Sequence, residues 1–147
     1  MLSGIHHVAL VTEDLDRFVA FYREVFDVEV IVELGDDDLR HALVDIGGGA
    51  ALHPFEMPDN PAARGVVGMF GRGHLDHLAL NVADERTFQA LRKRLVEAGV
   101  CDGTTTDFGT VKTCFFTDPD GMECEIAIWK DGQPLSREDA IREPYPR

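Results

Sequence analysis

Residues 4–11, GIHHVALV, alternate between two faces along a β-prone run, and residues 75–82, LDHLALNV, repeat that pattern. Sliding residues 7–28 onto 77–98 aligns His7 with His77, Ala9 with Ala79, Leu10 with Leu80, Asp14 with Asp84 and Phe18 with Phe88. The same offset pairs Ala20 with Ala90, Phe21 with Leu91 and Val25 with Leu95, without a gap. An internal duplication of this kind bears on the whole fold and is weighed before single elements are read.

Each copy reads in the same order. A strand (about 5–12 and about 74–82) leads into a helix that begins near Asp14 or Asp84, both good N-terminal caps. Leu15, Phe18, Val19, Tyr22, Val25 and Phe26 form one apolar stripe at helical spacing, as do Phe88, Leu91, Leu95 and Ala98, with Gly99 as a stop. Three strand-like runs follow each helix: 28–34, 39–46 and 50–57 in the first copy, roughly 100–107, 110–117 and 122–129 in the second. GDDD, GGG, DFGT and DPDG supply the turns between them. The pattern predicts an α+β chain of two fused βαβββ modules, eight strands and two helices, curled into a cupped, barrel-like mixed sheet. The modules span 4–57 and 74–130, joined by the Pro- and Gly-rich linker 58–73 and followed by a polar tail, 131–147, with a short capped helix at Ser136 to Arg142.

Strand parity selects the residues able to meet. His7, Ala9 and Val11 share a face, Val8 and Leu10 turn toward the helix, and His77, Ala79 and Asn81 repeat this. In the last strand Cys124, Ile126 and Ile128 form the apolar face, and Glu123, Glu125, Ala127 and Trp129 the other. A carboxylate on a concave face of small residues is costly to bury unpaired, and a metal ion removes that cost.

Composition narrows the partners. The 147 residues are 44% hydrophobic and 28% charged, as in an ordinary globular protein, and the net charge of −13 repels nucleic acid and anionic membranes. No apolar run approaches the roughly 20 residues of a membrane span, and the first residues lack the pattern of a secretory signal. Cys101, Cys114 and Cys124 are odd in number and lack metal-type spacing, so reduced thiols in a cytoplasmic setting are expected. A small-molecule substrate, or a second copy in a homodimer, is the expected partner.

The stretches IHHVALVTEDLDRFVAFYREVF, HLDHLALNV and FFTDPDGMECEI resemble the vicinal oxygen chelate superfamily of glyoxalases, epimerases, extradiol dioxygenases, fosfomycin-modifying enzymes and bleomycin-binding proteins. The resemblance covers about residues 4–130. It implies metal ligands at His7, His77 and Glu125, a set suited to a divalent ion (Fe, Mn, Ni, Zn or Co), with positions left open for substrate. Such an ion acts as a Lewis acid on two adjacent substrate oxygens and stabilises an enolate-like intermediate, while Glu125 serves as catalytic base. A fourth family position falls on His53, four residues past Gly49 as Glu125 lies four past Gly121. His53 is either a ligand or pocket wall; a slip in the GGG run would put Glu56 there instead.

Blander readings apply elsewhere. His6 and His74 are expected at the rim or in solvent, His41 on the surface and Glu123 at the rim. Phe55, Phe116 and Trp129 are expected to line the substrate pocket, with Lys112 either neutralising an anionic substrate or solvated. Three functions follow from the resemblance: a glyoxalase-like isomerase, lyase or epimerase, an Fe(II) extradiol dioxygenase, and a metal-free drug-binding resistance protein. Ring cleavage is weakened by Phe115, where that group usually has a tyrosine, and by the lack of a histidine at 106–108. Sequestration requires none of the three ligand-type residues.

Overall fold

A computed structural model describes residues 1–63, 70–71 and 75–146. His74 and most of the second half of the 58–73 linker lie outside the described residues. The chain divides into two compact units, residues 1–66 with 119–121 and residues 67–118 with 122–147.

The first unit runs β1 (His7–Thr12), α1 (Leu15–Phe26), β2 (Val30–Gly35), β3 (Arg40–Asp45) and β4 (Ala51–Glu56). Its mixed sheet has the order β1-β4-β3-β2, with β1 and β4 parallel and the other pairs antiparallel. Asp14 caps α1 as expected, its carboxylate accepting the Arg17 N–H at 2.9 Å. The apolar stripe of α1 is buried: Leu15, Phe18 and Tyr22 are at most 1% exposed, as are Ala42, Val44 and Leu52 of the sheet.

The second unit repeats the plan with β5 (Leu78–Asn81), α2 (Glu85–Glu97), β6 (Thr105–Asp107), β7 (Val111–Thr117) and β8 (Glu123–Trp129). Its sheet begins β5-β8-β7-β6, the same order as in the first unit. Asp84 caps α2 through the Thr87 N–H at 2.7 Å, and Gly99 leaves the helix with φ +73°. Phe88, Leu95, Cys114, Cys124 and Ile126 are fully buried, and the three cysteines are free thiols. Strand β6 is shorter than the expected 100–107 run, beginning only at Thr105. Among the described residues no helix is long and apolar enough to cross a membrane.

The tail departs from expectation. Ser136 starts a capped turn, with the Asp139 N–H donating to Ser136 Oγ, but no helix follows. Instead Ile141–Glu143 forms β9, which pairs antiparallel with β6 and extends the second sheet to five strands. Arg92 holds it there. This buried side chain (4% exposed) donates from Nε to the Gly103 carbonyl at 2.6 Å and from Nη2 to the Glu143 carbonyl at 3.1 Å, and its guanidinium lies 5.2 Å from the Tyr145 ring centroid. A local capping signal thus yields to an open sheet edge backed by a buried cation. Arg92→Met is expected to release the tail: hydrogen exchange at 141–143 rises to the rate of unstructured chain, and stability falls by about 1–3 kcal/mol from the lost bonds. Unchanged protection of 141–143 in exchange mass spectrometry would refute this role.

Candidate metal centre

In the second unit, strand register sets the site. β5 and β8 pair in parallel with Ala79 opposite Glu125 and Asn81 opposite Ala127, while β7 and β8 pair with Phe115 opposite Glu125 and Thr113 opposite Ala127. The small side chains of Ala79 and Ala127 leave room beside Glu125, which is 8% exposed. Burial pushes the Glu125 carboxyl above its ordinary range, partly offset by His77, with Glu123 adding to the rise. His77 Nε2 stands 3.3 Å from Glu125 Oε1, and His77 Nδ1 stands 2.8 Å from Asp76 Oδ2.

Both ring nitrogens of His77 therefore face carboxylate oxygens. A neutral imidazole carries one N–H, so only one of these contacts can be an ordinary hydrogen bond. With the proton on Nδ1 donating to Asp76, the Nε2 lone pair meets the Glu125 oxygen, an arrangement that either a proton on the Glu125 carboxyl or a bound cation satisfies. The 3.3 Å separation suits two neighbouring donors of one first-row ion, and a carboxylate behind a ligating histidine is the usual way its tautomer is set. Asp76 also accepts from the Phe70 N–H, which fixes its own carboxylate.

In the first unit the register places His53 opposite Ala9, as Glu125 stands opposite Ala79. His53 is thus the structural counterpart of Glu125, and the alternative residue, Glu56, has a different task. Its carboxylate accepts the Leu15 N–H at 2.6 Å at the start of α1 and lies 3.5 Å from Arg40. The His7 and His53 rings are 5.4 Å apart, centroid to centroid. Burial, with the neighbouring imidazoles of His41 and His7, lowers the His53 pKa and so favours the neutral form that binds metals.

His41, expected on the surface, joins this cluster with Nδ1 3.0 Å from His53 Nε2, and His6, exposed as expected, brings its Nδ1 to 2.9 Å from His7 Nδ1. Phe55 stacks on His41 and sits 4.1 Å from the His53 ring centroid, so it packs against the histidine cluster. Among the described residues no group of three or more His, Cys, Asp or Glu side chains is assembled as a metal site.

The expected pocket wall divides. Trp129 lines a cavity of about 350 Å³ beside Glu125. Lys112 and Phe116 do not: they lie on the helix-covered face, opposite Ile128 and Cys124. Phe116 is 2% exposed, and the Lys112 ammonium is bound to Glu85 at 2.8 Å beside the Phe88 ring. Parity transferred from Ile126 and Ile128 would have put both there. The cavity is walled instead by Thr113, Asn81, Phe108 and Val111, of which only Asn81 was legible on the open face.

The family model of the Glyoxalase/Bleomycin resistance protein/Dioxygenase superfamily matches residues 4–126. The chain belongs to that superfamily. Within it, the chain is 27% identical to the metallothiol transferase FosB of Staphylococcus saprophyticus, over 86% of this chain and 77% of that one. It is likewise 27% identical to a 2-epi-5-epi-valiolone epimerase of an Actinomyces species, over 95% and 86%. A superfamily structure from Frankia sp. EAN1pec superimposes with a TM-score of 0.73 at 27% identity, covering 90% of this chain and 96% of that one.

Proposed function

We propose that this protein is a divalent-metal-dependent enzyme of glyoxalase-like type, promoting proton transfer on a small organic substrate with adjacent oxygens, in the isomerase, lyase or epimerase class. The observation that carries the reading is the Asp76–His77–Glu125 arrangement, in which a carboxylate backs the imidazole and its other nitrogen stands 3.3 Å from a buried carboxyl. His7, His77 and Glu125 are the proposed donors, with His53 as the fourth. When bound, the ion supplies Lewis-acid polarisation of the substrate oxygens.

The chain's own part in the chemistry falls to Glu125. Its raised pKa brings it closer to neutrality, where a carboxylate both takes and returns a proton efficiently. Asp76 holds the His77 ring in one orientation, so that Nε2 keeps its lone pair toward the site. Ala79 and Ala127 leave space at the carboxylate for a substrate. Phe115, opposite Glu125 and 5.9 Å from the His77 ring, offers no hydroxyl for ring-cleavage chemistry. Relatives named as a transferase and an epimerase support an enzymatic role. A homodimer is the proposed assembly, to be read from the mass in solution by light scattering.

Elemental analysis of the purified protein is expected to find one divalent ion per chain, and His77→Ala to lose it. Removing a ligand or its orienting partner weakens metal binding by at least about 10–100-fold. Full retention of the ion in His77→Ala, or failure of the parent protein to take up any of the five metals, would overturn the reading. Oxygen uptake with catechols would shift it to a dioxygenase.

A further inference from the structure

Cys101 and Cys114 are brought together by the contacts that seat the connection between α2 and β6. The Thr117 N–H donates to the Val100 carbonyl at 3.0 Å, and Thr105 pairs with Cys114 where β6 begins. Residues 101–104 are therefore tied to β7 at both ends. Hydrogen-bonded segments of a sheet run about 5 Å apart, inside the Cα separation of about 7 Å that a disulfide can span. The two thiols interact directly, each altering the proton affinity of the other.

Their surroundings differ. Cys114 is fully buried, whereas Cys101 is half-buried. Gly103 turns the chain with φ +73°, and its N–H donates to the Cys101 sulfur. A Cβ at Gly103 would stand 2.6 Å from Val96 and 2.8 Å from Tyr145, so the turn admits only glycine. Arg92, bonded to the Gly103 carbonyl at 2.6 Å, adds a positive charge on the same side. The hydrogen bond from Cys114 lowers the Cys101 pKa most, with Gly103 and Arg92 helping and burial and Asp102 opposing. The Cys114 pKa rises, through Cys101 and through burial.

A thiol buried alone is an inert hydrophobic group. A half-buried thiol with donors at its sulfur and a second thiol against it is equipped to react and then to be resolved. Cys124, fully buried in β8 opposite Phe116, supplies the internal comparison.

We propose that Cys101 and Cys114 form a reversible dithiol–disulfide pair that reduces a hydroperoxide, with Cys101 attacking and Cys114 resolving. The Cys101 thiolate attacks one peroxide oxygen, the S–O bond forms and the O–O bond breaks. The leaving alkoxide or hydroxide takes up the proton that Cys101 released and departs as alcohol or water. Cys101 is then a sulfenic acid. The Cys114 sulfur displaces its hydroxyl: the S–S bond forms, the S–O bond breaks, and the Cys114 proton leaves with the hydroxide as water. The two thiols lose two electrons and the peroxide gains two. An external dithiol restores the pair by exchange. None of these steps involves the proposed metal centre.

The test treats the purified protein, as isolated and after chelation, with a small molar excess of hydrogen peroxide. Maleimide labelling of the unfolded chain is expected to show free thiols falling from three to one, and dithiothreitol to restore all three. Cleavage after Lys112 and Glu123 parts the three cysteines, so mass spectrometry identifies the joined peptides. These are expected to carry Cys101 and Cys114. Cys101→Ser should keep both of its thiols at the same dose. Cys114→Ala should hold Cys101 as a sulfenic acid that dimedone captures; if that variant does not fold, the parent's peptides and Cys101→Ser decide.

Survival of all three thiols in the parent would overturn the proposal. So would a disulfide that contains Cys124, a bond between two chains, or thiol loss confined to the protein before chelation.

Discussion

Glu125→Gln is expected to lower metal-dependent proton exchange by about 10²–10⁴-fold, the usual contribution of a positioned acid–base group, and yet to stabilise the metal-free protein. The second effect follows from linkage. Burial raises the folded-state pKa of Glu125 above its unfolded value, with His77 opposing and Glu123 adding. The stability tied to the protonated form is complete below the unfolded pKa and is lost as pH rises through the folded one. Glutamine keeps the shape without the charge, so the chelated variant should melt above the chelated parent at neutral pH. The gap should close as pH falls into the ordinary carboxylate range.

With metal present the order should invert, because the parent gains the binding free energy of a ligand set that the variant lacks. Deuterium incorporation from solvent into hydroxyacetone, followed by NMR, reads the first effect; melting curves across pH, with and without chelator, read the second. Parallel melting profiles for the two chelated proteins would show that the carboxylate is not held against its preference.

Phe18→Ala and Phe88→Ala are each expected to cost about 3–5 kcal/mol, measured by urea denaturation. The two phenylalanines occupy equivalent positions seventy residues apart, and they are 1% and 0% exposed. Phe18 packs with its ring centroid 4.6 Å from that of Tyr22, inside an aromatic cluster on α1. Phe88 closes α2 over β7, with the Lys112 ammonium 5.3 Å from its ring. Equal losses are the signature of a true duplication, in which each helix seals its own sheet. A loss below about 1 kcal/mol at either position would mean that its unit relaxes around the cavity. For a chain of this size the expected drop in melting temperature is about 2–4 °C per kcal/mol.

The lesson of the comparison lies in particular residues. Asp14 and Asp84, the apolar stripes behind them and the period-two alternation of the strands are local signals, so helix starts and strand faces were legible without a structure. The offset of seventy and the resemblance likewise picked out His7 at the start of β1, His77 just before β5 and Glu125 in β8. His53 needed the pairing of β1 with β4 before its equivalence to Glu125 became definite and Glu56 was freed for the start of α1. Lys112 and Phe116 were misplaced because their own strand alternates weakly, and only its register against β8 assigns their side. Asp76 and His41 gave no pattern at all, since each meets its partner only in the folded chain.

The amino-acid order by itself determined the two-module plan, the helix caps and the faces on which candidate ligands lie, because each depends on periodicity within a few residues. Tertiary structure decided the register of the strands and the partners behind the histidines. It also turned the tail into β9, where the open edge of β6 and the buried Arg92 outweighed the capping signal at Ser136. Hydrogen bonding across strands is non-local, and a shift of one residue would exchange every inward side chain for an outward one.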